Sequence, residues 1–127
     1  PYNAPVFGEE SLAELQLPAL ILVGGNDNVT LVERDAHNFY GWISSEDKYL
    51  VEFALADHYV FNDTCAPLLI NVDAYYACSD SVWDLTRVHD LTNHLATTFL
   101  LSTYYNDIDA RTELENADFV GVTIQQP

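Results

Sequence analysis

Positive charge is what this chain has least of. Lys48, Arg34, Arg87 and Arg111 are its only cations, against 20 acidic residues, and the formal net charge is −16. A surface of that sign repels phosphate backbones, which excludes nucleic-acid binding, and it disfavours anionic membranes for the same reason. Long hydrophobic runs are missing too. No apolar stretch nears the roughly 18 residues of a membrane span, so no membrane span is expected, and no signal peptide is visible. Cysteine is scarce: two residues cannot build a four-thiolate metal site. Internal repeats and low-complexity tracts are absent.

What is there suffices for a core. The chain has 127 residues, 49% hydrophobic and 13% aromatic, so 1–127 is read as a single ordered domain. It opens on Pro1, and a mature product cut from a longer precursor is expected. Cys65 and Cys78 lie in loop-like sequence with 12 residues between them. A bridge there is expected and would contribute roughly 3 kcal/mol by loop-closure entropy; the alternative is two unrelated buried thiols. Two sequons, Asn28-Val29-Thr30 and Asn62-Asp63-Thr64, make Asn28 and Asn62 candidate glycosylation positions. Bridge and sequons together point to a secreted, extracellular protein.

The stretch Leu17–His58 organises the rest. Ala19–Val23 is uniformly apolar, the pattern of a strand buried on both faces in a parallel sheet. Gly24-Gly25 allows a tight exit into Asn26-Asp27. Leu31, Val32, Ala36, Phe39, Tyr40 and Ile43 follow helical spacing, which predicts a helix over Leu31–Ile43, with Thr30 and Glu33 as a capping box. Lys48–Ala54 reads as a second strand, running into Ala56-Asp57-His58. A strand–helix–strand unit of this kind predicts parallel pairing through a right-handed crossover. It leaves an acid after one strand and a histidine, 31 residues on, after the next.

The flanks are simpler. Glu9–Leu15 reads as a short helix with acids in its first turn, stopped by Pro18. Tyr59–Ser79 shows no strong period beyond a short helical pattern over Pro67–Tyr76. Val82, Leu85, Val88, Leu91, Leu95 and Phe99 predict a long helix over Ser81–Tyr105, opened by a Ser81/Asp84 capping box. Asp107–Asn116 reads as a further helix, and Phe119–Ile124 as a strand.

Leu17-Pro18-Ala19-Leu20-Ile21-Leu22-Val23-Gly24-Gly25-Asn26-Asp27 resembles the late strand and acid loop of α/β-hydrolases. Ala56-Asp57-His58-Tyr59-Val60-Phe61 resembles their histidine loop, and Val82-Trp83-Asp84 through Phe99-Leu100-Leu101 their closing helix. The dienelactone-hydrolase-like and platelet-activating-factor-acetylhydrolase-like branch is the nearest in flavour. The resemblance covers about residues 9 to 110 and implies an α/β fold, the last parallel strands of a hydrolase with flanking helices. It implies that Asp27 orients His58, which activates a serine. The chain departs from the family in one respect. None of Ser11, Ser44, Ser45, Ser79, Ser81 and Ser102 lies in a Gly-x-Ser-x-Gly elbow, and the earlier strands and oxyanion-hole segment are missing.

Each residue has a plainer reading. Asp27 suits a loop after glycine in any fold, and His58 could be an ordinary loop histidine. Asp57 is the poorer acid, because its neighbouring side chain points elsewhere. His37, His89 and His94 read as helix-surface residues, and Trp42 and Trp83 as core or interface anchors. No metal or cofactor is expected, since His89 and His94 are five apart and the acidic loops lack a twelve-residue calcium pattern. Two apolar strands cannot finish a sheet. Three outcomes follow: a second chain carrying the nucleophile, further copies of this chain in an oligomer or filament, or a local seal by Phe119–Ile124. The functions to weigh are a fragment or processed subunit of an ester or lactone hydrolase, inactive alone, and an extracellular structural protein. A binding module using the eight tyrosines is a third.

Overall fold

The computed structural model describes residues 8–66 and 75–127. Helix α1, Glu9–Ala13, precedes strand β1, Ala19–Gly24. A π-helical segment, Val32–His37, continues directly into α2, Asn38–Trp42, and strand β2 follows at Lys48–Phe53. Two 3-10 turns, His58–Phe61 and Tyr75–Cys78, lead to the long helix α3, Leu85–Tyr104. Helix α4, Ile108–Glu115, and strand β3, Val122–Gln125, close the chain.

The strands form one mixed sheet in the order β1-β2-β3. β1 runs parallel to β2 from Ala19 opposite Lys48 to Gly24 opposite Phe53, as the strand–helix–strand pattern requires. β3 runs antiparallel to β2, with Phe53 opposite Val122. The C-terminal strand thus seals one edge of β2 locally, while among the described residues no strand pairs with the far edge of β1.

Side-chain alternation along β2 sorts the core into two layers. Tyr49, Val51 and Phe53 face α3 and α4, packing with Trp83, Val88, Leu95, Phe99 and Leu114. Leu50 faces the other way, with Val23, Ala36 and Tyr40 against the π-helical segment and α2. β1 also contributes to both layers, but only Val23 and Gly24 are buried. Its first four residues stay half-exposed, so the expected burial on both faces is incomplete.

Two helix starts differ from the sequence expectation. Thr30 does not cap the second helix: Leu31 holds the cap position without a side-chain bond, and the Thr30 amide is taken by Asp27. α3 begins at Leu85, not Ser81, because Asp80 binds the amides of Val82 and Trp83 at 2.8 Å and holds them in a turn. Asp84 is itself the cap, accepting from the Arg87 amide. The turn leaves Val82 exposed and drives Trp83 into the core, its indole N–H on the Ala54 carbonyl at 2.9 Å. Of the pattern over Pro67–Tyr76, 67–74 lie outside the described residues, and Tyr75 and Tyr76 open a 3-10 turn. Cys65 and Cys78 form the expected disulfide. No helix among the described residues is long and apolar enough to cross a membrane.

The four cations all serve the fold. Arg34 pairs with buried Asp35, and Lys48 binds the carbonyls of Tyr40 and Ile43 at the end of α2. Arg87 reaches the Val120 carbonyl, and Arg111 meets Asp47 at 2.8 Å.

Two outcomes are expected from these contacts. Gly121 has φ +82°, and a Cβ there would come within 2.9 Å of the Trp83 ring. Gly121→Ala should therefore cost about 1–3 kcal/mol in denaturant unfolding. The hydrogen bond from Arg34 holds the Asp35 carboxyl below its ordinary value. A depressed folded pKa gives stability that is present at neutral pH and lost as pH falls through that value. Asp35→Asn should therefore unfold more easily than the wild type at pH 7, with the gap closing below about pH 4.

Candidate active site

Both loops at the carboxyl ends of β1 and β2 are built by close backbone approach. The Gly25 amide donates to the Phe53 carbonyl at 2.8 Å, and the Asn26 amide to the Ala56 carbonyl at 2.9 Å. A Cβ on Gly24 would stand 2.5 Å from the Ala56 carbonyl oxygen and 2.8 Å from that of Asp57. Only a residue without a side chain fits there. Neither Gly24 nor Gly25 has positive φ, so close approach, not turn geometry, requires them. The positive φ falls on Leu55, at 61°, in the turn between β2 and the histidine. A leucine in that region is an outlier that costs of order 1 kcal/mol or more and persists only where its surroundings over-determine it.

This backbone frame brings Asp27 and His58 together. Asp27 is buried, and its Oδ1 accepts the amides of Val29 at 2.8 Å and Thr30 at 2.7 Å. Its Oδ2 lies 2.7 Å from His58 Nδ1. An ionised carboxylate accepts and cannot donate, so Nδ1 carries the proton and Nε2 is left as the basic nitrogen. Among the described residues Nε2 has no hydrogen-bond partner. The His58 side chain keeps 34% of its exposure, which leaves it reachable from outside.

Two further contacts hold the histidine loop, and neither was legible in the sequence. Asn26 Nδ2 donates to Asp57 Oδ1 at 2.9 Å, so Asp57 straps the loops together and Asp27, not Asp57, bonds to His58. The Asp57 amide is taken by Asp80 Oδ2 at 2.8 Å. The run Asn26-Asp27 and the run Asp57-His58 thus pair twice, residue by residue. The identical 31-residue offset of the two pairs was the signal available.

Other residues singled out in the sequence stand apart from this pair. His37 lies between Glu33 and Glu52, at 3.7 and 3.6 Å, on the opposite layer of the sheet. His94 meets Glu113, and His89 the Asn62 carbonyl. Trp83 is buried, and Trp42 is half-buried beside Phe39. Asn28 is exposed, whereas the Asn62 side chain donates to the Ala77 carbonyl at 2.8 Å. Among the described residues no three His, Cys, Asp or Glu side chains gather as a metal site. No serine hydroxyl among them bonds to His58. Ser45 binds the Asp47 amide, Ser79 the Tyr75 carbonyl and Ser102 the Phe99 carbonyl.

A cavity of about 260 Å³ runs from the pair along the open edge of β1, between Ile21, Leu22, Ala36, Phe39 and Phe61. A larger one, about 480 Å³, opens at the opposite end of the strands among Ser44, Ser45, Glu46 and Asp47. It holds no acid–histidine pair. No family model, curated protein or solved structure matches this chain.

The pair can do one thing well: a carboxylate-oriented imidazole accepts a proton at Nε2 from a hydroxyl brought within reach, and stores the resulting charge beside Asp27. A short Nδ1–H to carboxylate bond should give a downfield proton resonance in the NMR spectrum. Asp27→Asn should abolish it while keeping the turn, because the amide oxygen still accepts from Val29 and Thr30. Gly24→Ala should abolish it too, by pushing Ala56 and Asp57 away. Persistence of the signal in either variant would contradict this account.

Proposed function

We propose that residues 1–127 form the C-terminal, acid–histidine part of a secreted serine-type ester or lactone hydrolase of the α/β-hydrolase kind. In this reading His58 is the general base, Asp27 fixes its tautomer, and the nucleophilic serine lies outside residues 1–127. The observation that carries the reading is the 2.7 Å bond between Asp27 and His58 at the carboxyl ends of adjacent parallel strands. Order supports it as well: strand, acid, helix, strand, histidine, long helix. So does the cavity beside the pair, which follows the strand edge where a serine-bearing strand would add. The disulfide suits an oxidising, extracellular setting.

The chain is inactive alone on this reading, because an oriented imidazole without nucleophile and oxyanion hole keeps little rate enhancement. The isolated chain should turn over p-nitrophenyl acetate no faster than free imidazole at equal concentration. Taken from its native source, it should travel with a serine outside 1–127 that a fluorophosphonate probe modifies. A probe adduct on a serine within 1–127, or no reactive serine, defeats the proposal. In the completed enzyme, Asp27→Asn should lower kcat by about 10⁴-fold, through loss of the productive tautomer.

The open strand edge favours a second reading, self-association into an extracellular structural polymer. The Ala19 amide donates to Asp47 and the Gly25 amide to Phe53, both on the β2 side. Strand alternation therefore turns the N–H and C=O of Leu20 and Leu22 outward, a template for another strand. Sedimentation separates the readings. Polymer formation that Leu20→Pro prevents supports the structural reading, since proline on an outward N–H blocks pairing and spares the β2 ladder. A monomer at all concentrations removes it.

A further inference from the structure

His58 stands between two cavities. One follows the β1 edge. The other, about 190 Å³, lies on the outer side of the ring and is lined by Asn28, Val29, Asp57, His58, Tyr59 and Tyr76. We propose that this second cavity is a binding platform for an aromatic ring, and that it selects uncharged esters of aromatic acids as substrates. The proposal rests on reading Asp27 and His58 as an ester-cleaving pair, and it adds the substrate class.

Three rings step outward from the pair, each edge-on to the last. His58 meets Tyr59 at 5.0 Å between centroids and 82°, and Tyr59 meets Tyr76 at 5.5 Å and 64°. Tyr76 ends the series and is 64% exposed. An exposed tyrosine alone is unremarkable. This one is held in place by contacts that do nothing to bury it. The Cys65–Cys78 disulfide fixes its turn from one side. Asn62 Nδ2 binds the Ala77 carbonyl at 2.8 Å, and Ser79 Oγ binds the Tyr75 carbonyl at 2.7 Å. Just beyond, Asp80 accepts the Asp57 amide and so ties this loop to the histidine loop. Rigid aromatic surface, ordered in advance beside a reactive group, costs little further entropy when a ligand stacks on it.

The lining chooses the ligand's charge. Asp57 borders the cavity, and the whole chain carries a net charge of −16, so an anionic ring is repelled. Asn28 supplies an amide at the rim for a carbonyl or ether oxygen. Aromatic stacking beyond area burial favours an aryl over a cyclohexyl ring of similar size by roughly three- to tenfold.

Binding can be measured without turnover, so it is separable from the catalytic reading. The isolated chain is titrated with methyl benzoate, methyl cyclohexanecarboxylate and benzoate, following the Tyr59, Tyr76 and His58 ring resonances. Methyl benzoate should shift these resonances and bind at least threefold tighter than the cyclohexyl ester, with benzoate weakest. Tyr76→Ala should weaken methyl benzoate tenfold or more, Tyr76→Phe should retain it, and Cys65→Ser with Cys78→Ser should weaken it. Asp27→Asn should leave this binding intact while removing the downfield proton. Equal affinity for the two esters, unchanged affinity in Tyr76→Ala, or shifts confined to residues elsewhere would overturn the platform. Loss of the downfield proton signal alone would bear on the Asp27–His58 pair instead.

Discussion

The main-chain approach of two loops is the constraint from which the site follows. Gly24 and Gly25 lie against the backbone of Phe53, Ala56 and Asp57 closely enough that no side chain can intervene. That contact sets the separation of Asp27 and His58, because each side chain leaves its loop within three residues of it. Hydrogen bonds then settle the details. Asp27 holds its own turn with one oxygen and the imidazole with the other, while Asn26 and Asp57 fasten the same loops one residue earlier. A dyad made this way owes its geometry to rigid backbone, which places a side chain more reliably than packing of long side chains does.

The sheet has a matching asymmetry. β2 is fully served: β1 on one side, β3 on the other, α3 and α4 on one face and α2 on the other. Among the described residues β1 is paired on one side only, and its half-exposed Ile21 and Leu22 line the cavity beside Asp27 and His58. The unpaired edge of β1 and the Asp27–His58 pair thus border the same cavity. The acid-rich surface works with this, since every cation is already engaged within the fold and the excess negative charge opposes contacts that are not built for it.

Much of this was legible in residues. The unbroken apolar run Ala19–Val23 and the helical spacing from Leu31 to Ile43 identify a parallel pair, because a strand facing two layers has no room for polar alternation. The spacing of Leu85, Val88, Leu95 and Phe99 identifies the long helix, and all four are buried in it, together with Thr98 and Ser102. Helix starts were harder to read. Thr30 and Ser81 both suit a cap, yet nearby aspartates, Asp27 and Asp80, take the amides first. A capping motif records what a side chain can bind, while competition for each amide depends on the fold around it.

Local chemistry along the chain therefore determined the element types, the parallel pairing and which acid and which histidine could meet. Only tertiary structure decided that they do meet, that Asp57 is a strap and not the acid, that β3 seals β2, and that Tyr76 stands within reach of His58. The reason is physical. Periodicity is a property of neighbours in sequence, whereas a 2.7 Å contact between residues 31 apart depends on how two backbones pack. No pattern of residue types carries that distance until the loops are folded against each other.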